Sequence, residues 1–272
     1  MVRRNKMLGA IIGDIAGSKF EFNNRKTKDF ELFTEKCRPT DDSIMSLSVC
    51  RALLDFNGDY SKLSKDAVKY MREVGRNYPN CGYGGHFYYW IFSEEEPAPY
   101  NSYGNGSAMR VGGCGFAAKT LEQAVQFADA VTKVSHNHPE GLKGAEAVAA
   151  AIYLAKNGAS IPEIREYINS NYYKLDFTLD EIRADYEFDV SCQGSVPQAL
   201  EAFLESTGFE DAVRNAVSIG GDSDTIAAMA GSIAEAYYGI PSEIREKAVA
   251  FLDKRLLKIL NDFEEKYPPK II

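Results

Sequence analysis

The sequence predicts an all-α fold, with one helical domain over residues 1–272 and a functional site built from loops. Apolar residues recur at helical spacing along most of the chain, and no segment shows the alternation of a β-strand. Two acidic clusters, Thr40-Asp41-Asp42 and Gly220-Gly221-Asp222-Ser223-Asp224-Thr225, each stand directly before such a helical stretch. Each cluster therefore marks the start of a predicted helix.

The first predicted helix carries glycine at every fourth position, at Gly9, Gly13 and Gly17. On a helix these residues form one narrow face, which lets another helix approach closely. Glu21 follows at the end of this segment, and residues 22–39 are predicted to form a loop leading into the first acidic cluster.

The helix after the first cluster is predicted to end near Asn57-Gly58. Residues 79–116 are predicted to be irregular, because glycine and proline recur there among many aromatic residues. Long loops of this kind inside a helical protein are typically functional. The later predicted helices are Leu121–Thr132, Gly144–Asn157, Pro162–Asn171, Leu179–Tyr186, Val196–Ser206, Phe209–Ser218, Thr225–Tyr238 and Pro241–Tyr267.

The composition, with 45% hydrophobic and 26% charged residues, is that of a soluble globular protein. A net charge of −8 argues against a general nucleic-acid-binding surface or an anionic membrane surface. Five cysteines without CxxC spacing argue against a disulfide framework or a zinc site and favour a reducing compartment. No stretch reaches the length of a membrane span, so we expect a cytoplasmic protein, acting as a monomer.

The acidic clusters have two interpretations. Taken alone, each is most simply explained as a helix cap, since Asp and Thr are favoured there. However, a cap needs one side-chain oxygen and each cluster offers more. Carboxylates this close repel one another unless a cation or protons lie between them. Gly220-Gly221 also permits a sharp turn before the second cluster. Together the clusters predict an all-oxygen cage for one or two hard divalent cations.

Six segments between residues 9 and 225 resemble, in order, those of the ADP-ribosylglycohydrolase family, which includes the dinitrogenase reductase-activating glycohydrolase. The combination of TDD, GNGSAMR and GGDSDT is highly specific to that family. The matching segments are residues 9–18 with Glu21, 40–43, 82–84, 102–110, 135–136 and 220–225.

The resemblance implies an all-α fold and a dinuclear centre of Mg²⁺ or Mn²⁺. The implied ligands come from two sides, with one aspartate bridging, and are Thr40, Asp41, Asp42, Asp222, Asp224 and Thr225. Glu21 matches a family carboxylate that gates the site or acts in catalysis. A water could be positioned by Glu21 or by a ligand aspartate, so the implied catalytic residues are Glu21, Asp222 and Asp224.

The resemblance also implies a binding site for ADP-ribose. Glycine-rich loops can offer backbone N–H groups to its pyrophosphate, which explains how an acidic protein would hold an anion. Tyr103 could stack on the adenine or a ribose, whereas His136 is equally well explained as a buried, satisfied histidine. The implied substrate-binding residues are Asp14 (close to the metals), Gly82, Tyr83, Gly84, Ser102, Tyr103, Gly104, Asn105 and His136.

The function implied is a metal-dependent hydrolase that releases ADP-ribose from a modified acceptor by cleaving the bond at the anomeric carbon of the distal ribose. An ADP-ribosyl-arginine linkage is favoured by family frequency alone. The alternatives are another ADP-ribose linkage or small nucleotide derivative, a phosphatase-like two-metal hydrolase, and a non-catalytic ADP-ribose-binding protein. Residues 22–38 and 86–100 are candidates for the acceptor side, but their sequence names no acceptor.

Overall fold

The structure is a computed structural model that describes residues 7–268. Over that range it contains fourteen α-helices and no β-strand, so the all-α prediction is confirmed. A 3₁₀ turn spans Asn105–Ser107. The helices are α1 Leu8–Gly17, α2 Asp41–Leu54, α3 Tyr60–Gly75, α4 Gly85–Phe92, α5 Gly112–Ala117, α6 Leu121–Thr132, α7 Pro139–Lys156, α8 Ile161–Asn171, α9 Leu179–Ile182, α10 Cys192–Leu204, α11 Phe209–Ser218, α12 Ser223–Tyr238, α13 Ser242–Val249 and α14 Lys254–Lys266.

Helices α6 and α11 have the predicted bounds, but other predictions need correction. Helix α7 begins at Pro139 rather than at Gly144, because the His138 ring caps its first turn. Helix α9 ends at Ile182, short of the predicted Tyr186. The single helix predicted to reach Tyr267 is two helices, since Asp253 accepts from two backbone N–H groups and starts α14 anew.

The region predicted to be irregular, residues 79–116, contains two helices, α4 and α5. Glycine stands in both of them, exposed at the start of α4 and buried in α5, where burial offsets its cost to the helix. Gly115, for example, lies so close to Ile152 and Ala149 of α7 that a side chain there would overlap them. Helix α3 was not among the predicted helices, although Asp59 caps it and its inner face is buried.

Helices α1 and α12 form the centre of the molecule, and every residue of α1 is buried. Added Cβ atoms at Gly9 and Gly13 would overlap the backbone of α12 at Gly231 and Ala227. An added Cβ on Gly17 would overlap the backbone of Asp224, at the other end of α12. The glycine face therefore packs α1 antiparallel against α12 and brings the end of α1 against the second acidic cluster; the spacing predicted the close helix contact but not its partner.

The buried apolar side chains of the described residues form one contiguous core. All five cysteine thiols are free and buried. Within residues 7–268, no helix combines the length and apolar character that crossing a bilayer requires.

Candidate metal centre and ligand cavity

Three chain segments bring carboxylates together at one end of the α1–α12 pair. Helix α2 begins at Asp41 and helix α12 follows Asp222, so both helix starts face the same point. Gly220 and Gly221 have φ values of 74° and 70°, the left-handed turn that the sequence predicted. Glu21 reaches the same point from the segment that follows α1.

Two groups of acidic side chains have oxygen atoms within 4.8 Å of one another. The first is Asp14, Asp42 and Asp224, and the second is Glu21, Asp222 and Asp224. Asp224 belongs to both groups, which is the placement that a bridging carboxylate needs. All the donor atoms are hard oxygens, as Mg²⁺ and Mn²⁺ prefer.

The helix-cap explanation accounts for little of this arrangement. In α2 the Thr40 hydroxyl, and neither aspartate, accepts from the backbone N–H of Asp42. Helix α12 has no side-chain cap, because Asp222 instead accepts from the Asn105 amide at 2.7 Å. The Oδ1 atom of Asp42 is buried and has no hydrogen-bond partner among the described residues. A buried carboxylate oxygen without a donor fits a cation site.

Asp14 stabilises the first acidic cluster, Thr40-Asp41-Asp42, through hydrogen bonds. Its carboxylate accepts from the backbone N–H and hydroxyl of Thr40 at 2.8 and 2.7 Å, and from the backbone N–H of Ser43 at 3.0 Å. The Ser43 hydroxyl donates to the same carboxylate. Asp14 is fully buried and lies outside the cavity lining. Asp14 thus supports the start of α2 and lies with Asp42 and Asp224 in one of the two acidic groups.

Without a cation, burial and mutual repulsion raise the pKa values of these carboxyls. Burial, then the charge of Asp222, raises the pKa of Glu21 to about 7, against the opposing charge of Arg38. Burial and the neighbouring aspartates raise the pKa of Asp41 to about 8. The pKa values of Asp42 and Asp224 rise well above the usual range for the same reasons. A divalent cation would replace protons here.

The carboxylates line a cavity of about 460 Å³. Of the predicted substrate-binding residues, Gly82, Gly84, Ser102, Gly104, Asn105 and His136 line this cavity, together with Glu21, Asp41, Asp42, Asp222, Asp224 and Thr225. Gly82 has a φ of 123°, and a Cβ there would come within 2.9 Å of an Asp41 carboxylate oxygen. A side chain at position 82 would thus displace a predicted metal ligand.

Four of the predicted site residues lie outside this lining: Asp14, Thr40, Tyr83 and Tyr103. Thr40 lies between Asp14 and Asp42. The Tyr83 hydroxyl donates to the carbonyl of Gly75 at 3.2 Å, so the ring belongs to the aromatic packing behind the loop. Tyr103 is half-exposed and meets His138 edge-on, with ring centroids 5.2 Å apart.

His136 is both buried and aimed at the cavity. The Arg110 guanidinium donates to the Ser135 hydroxyl oxygen at 2.8 Å, which leaves that hydroxyl free to donate to Nδ1 of His136 at 2.9 Å. Burial and then the charge of Arg110 hold the pKa of His136 well below its usual range. The ring is therefore neutral, and its Nε2 atom lies beside Gly104 and Gly106.

The sequence reasoning missed several lining residues. Phe22, Phe188 and Val190 are exposed hydrophobic residues of the cavity wall. A usable signal was present, because residues 185–190 read Asp-Tyr-Glu-Phe-Asp-Val, with acidic and apolar side chains alternating outside any predicted helix core. Gly85, His86, Phe87, Tyr100, Gly106 and Met109 complete the lining.

Comparisons with known proteins agree with this geometry. The ADP-ribosylglycohydrolase family model matches residues 4–269. Human ADP-ribosylhydrolase ARH3 is 27% identical over 316 residues, which span 87% of this chain and 85% of that protein. ADP-ribosylarginine hydrolase Tri1 of Pseudomonas putida is 28% identical over 284 residues, 90% of this chain and 73% of that protein.

A solved structure described as an ADP-ribosylglycohydrolase-related protein complex has the same fold, with a TM-score of 0.68 and 22% identity over 97% of this chain and 98% of that one. The chain belongs to the ADP-ribosylglycohydrolase family, a class of hydrolases, as the family match over nearly its whole length shows.

Proposed function

We propose that this protein is a metal-dependent hydrolase that releases ADP-ribose from a modified acceptor, with ADP-ribosyl-arginine as the preferred linkage. The observation that carries the proposal is the pair of carboxylate groups sharing Asp224 at a cavity whose wall also includes glycine loops. The bond cleaved is the one at the anomeric carbon of the distal ribose. Departure of the leaving group builds oxocarbenium character on the distal ribose, as in other glycoside hydrolyses.

Two Mg²⁺ or Mn²⁺ ions would be held by Thr40, Asp41 and Asp42 on one side and by Asp222, Asp224 and Thr225 on the other. The unpartnered Oδ1 atom of Asp42 supports this assignment. When bound, such ions supply Lewis acidity to the ribose hydroxyls and acidify a water molecule.

Glu21 is the candidate for proton transfer. Its carboxylate is partly buried, lines the cavity and lies within 4.8 Å of oxygen atoms of Asp222 and Asp224. A carboxylate in this position can accept a proton from the attacking water and orient it. Asp222 and Asp224 are the alternatives for that role.

The pyrophosphate would be held by backbone N–H groups. Helix α4 begins at Gly85, and the N–H groups of its first turn have no intrahelical acceptor. The residues of this turn, Gly85, His86 and Phe87, line the cavity, as do Gly104 and Gly106. His136, protonated on Nε2, would add a side-chain donor beside Gly104 and Gly106. An anionic ligand is thus bound by amides and an imidazole, with no cluster of basic residues.

The comparisons support hydrolysis of an ADP-ribose linkage more strongly than they support any particular acceptor. One relative is named for arginine linkages and another is named ARH3, at nearly the same identity to this chain. Arginine therefore remains our proposal, with serine or another linkage as the second candidate. The non-catalytic alternative is disfavoured because Glu21 and the aspartates are all present and clustered.

The test uses purified protein, stripped with a chelator and reloaded with Mg²⁺ or Mn²⁺, on arginine-, serine- and cysteine-linked ADP-ribose. We expect release of intact ADP-ribose only after reloading, with the arginine linkage cleaved fastest. Full turnover after exhaustive chelation would contradict the metal assignment. Calorimetry should show free ADP-ribose binding to the reloaded protein, and no binding would contradict the ligand assignment. Release of AMP instead of ADP-ribose would favour the phosphatase-like alternative.

We also propose that the protein acts as a monomer in the cytoplasm. The five buried, free thiols support a reducing compartment. Size-exclusion chromatography with light scattering would test the monomer.

A further inference from the structure

Two phenylalanine rings stand at the edge of the cavity beside the carboxylates. Phe22 is 84% exposed and Phe188 is 48% exposed. Their rings are stacked, with centroids 6.1 Å apart and an interplanar angle of 28°. Both residues line the cavity, and we call this pair the aromatic lip. Adjacent exposed aromatic rings at a cavity mouth are typical of a binding surface, since the core gains nothing from them.

Hydrogen bonds to the backbone hold the aromatic lip in place. The Lys26 ammonium donates to the carbonyls of Tyr186 and Ile219 at 2.5 and 2.6 Å. The Asn24 amide donates to the carbonyl of Gly221 at 2.9 Å and accepts from its N–H at 2.8 Å. These bonds tie the segment carrying Phe22 to the segment carrying Phe188 and to the turn before Asp222. The lip is therefore preorganised.

The aromatic lip lines the same cavity as the Glu21, Asp222 and Asp224 carboxylates. Phe22 follows Glu21 in the chain, and the Glu21 carboxylate lies with Asp222 and Asp224. The bond to be cleaved would lie beside these carboxylates, whereas the start of α4 would hold the pyrophosphate. A group departing from the anomeric carbon next to Glu21 thus passes Phe22.

The segment that carries Phe188 is acidic. Asp185, Glu187 and Asp189 flank Tyr186 and Phe188 in the chain, and the first two are exposed. Of the basic residues that follow Phe22, Lys26 has its ammonium bound to backbone carbonyls, and the Arg25 guanidinium donates to the carbonyl of Asp29. Among the described residues, no Lys or Arg side chain lies over the face of Phe22 or Phe188. Exposed aromatic faces within a field of carboxylates favour a planar cation.

We propose that the aromatic lip binds the guanidino group of an ADP-ribosylated arginine, so that Phe22 and Phe188 determine specificity for that acceptor. A guanidinium is planar, positively charged and weakly hydrated, and it stacks on aromatic rings. A serine acceptor offers neither charge nor a flat face. This inference rests on the proposed function and deepens it by assigning residues to the acceptor.

The test compares Phe22→Leu, Phe188→Leu and the double variant on arginine-linked and serine-linked ADP-ribose, with Mg²⁺ present. We expect kcat/KM on the arginine linkage to fall about tenfold or more in the double variant, mainly through KM, which is the scale of cation–π contacts. The serine-linked rate and the Kd for free ADP-ribose should change less than about twofold, within the usual range for a surface substitution. Phe22→Tyr, which keeps the aromatic face, should retain the arginine rate. Tyr89→Leu, at an exposed aromatic residue outside the cavity lining, is the matched control.

Equal losses on both linkages would overturn the inference, because the lip would then act on the ribose or on the fold. A wild-type protein that cleaves the serine linkage and not the arginine linkage would also overturn it, while leaving the proposed hydrolase intact. Absence of both ADP-ribose binding and cleavage of any linkage would refute the proposed function itself. Melting temperatures of all variants identify any loss that comes from unfolding.

Discussion

Carboxylates lie at both ends of the antiparallel pair of α1 and α12, and their surroundings differ between the two ends. At one end Glu235 stands alone, with Oε2 accepting from the backbone N–H of Gly9 at 2.7 Å. Its Oε1 atom has no partner among the described residues. At the other end, Glu21, Asp14, Asp42, Asp222 and Asp224 lie together beside an open cavity.

This difference distinguishes a carboxyl with a structural role, Glu235, from the clustered carboxyls with a functional role. Burial raises the pKa of Glu235 to about 8, although the backbone N–H of Gly9 opposes that rise. The bound proton and the N–H groups at the start of α1 are therefore enough to stabilise the buried Glu235 carboxyl. The carboxyls at the other end also accept hydrogen bonds, but there several of them lie close enough to repel one another. Clustering and access to a cavity, more than burial alone, indicate a cation site.

The largest effect is expected at the end with the cluster, from Asp224→Ala. Loss of the shared carboxylate should abolish turnover and the stabilisation by Mg²⁺ in a thermal melt. The metal-free protein should stay folded, with its free energy of unfolding changed by about 1 kcal/mol, since a lost helix-start acid is offset by less repulsion. Asp176→Ala, at an exposed aspartate, is the control. A variant with wild-type turnover and metal stabilisation would show that the assignment of Asp224 is wrong.

Glu21→Gln tests whether the partly buried acid of the cluster transfers a proton. The amide keeps the size and reach of the side chain but not its charge. We expect turnover to fall about a hundredfold or more, equivalent to about 2.7 kcal/mol, with ADP-ribose affinity near that of the wild type. Single-turnover kinetics and calorimetry measure the two quantities. Unchanged turnover would transfer the role to Asp222 or Asp224.

Gly13→Ala acts on the packing that joins the two ends. The new methyl group would overlap the backbone of Ala227, so α1 must move away from α12. We expect a loss of about 1–3 kcal/mol in the free energy of unfolding, the range for overpacked cores, and weaker Mg²⁺ binding because Glu21 and Asp14 shift relative to Asp224. Gly208→Ala is the control, since an added Cβ there meets no atom within 4 Å. Equal stability of the two variants in chemical denaturation would contradict the role of the glycine face.

The same pair of helices shows how far the sequence could be interpreted. The glycine spacing predicted the close helix contact, and the motifs predicted both acidic clusters, because these signals are local. The sequence did not indicate that the partner of α1 is α12, which depends on contacts more than 200 residues apart. It named residues 22–38 as a candidate segment without singling out Phe22, and it did not indicate Phe188, since single exposed rings give no helical periodicity. Glu235 gave no signal either, because its partner is a backbone N–H.

Glu235→Gln should have the smallest effect, and its sign depends on pH. The unfolded chain releases this proton near pH 4.5, whereas the folded protein keeps it to about pH 8. Between these values the folded state binds more protons, so the ionisable Glu235 makes the wild type less stable as pH rises, until the loss levels off above about pH 8.

Glutamine cannot ionise, so the variant escapes this loss. At pH 8 we expect it to be more stable than the wild type by about 1–2 kcal/mol, less than the full shift implies because the new amide N–H groups find no acceptor. Near pH 4.5, where the wild type also keeps its proton, the same unmatched amide should make the variant less stable than the wild type. Chemical denaturation at several pH values with saturating Mg²⁺ measures the difference, and the exposed Glu243→Gln controls for the substitution itself.

Turnover should remain at the wild-type level, because Glu235 lies at the end of the helix pair away from the cluster. A loss of turnover without a loss of stability would show that the two ends are coupled, and that the division between a structural and a functional end is wrong.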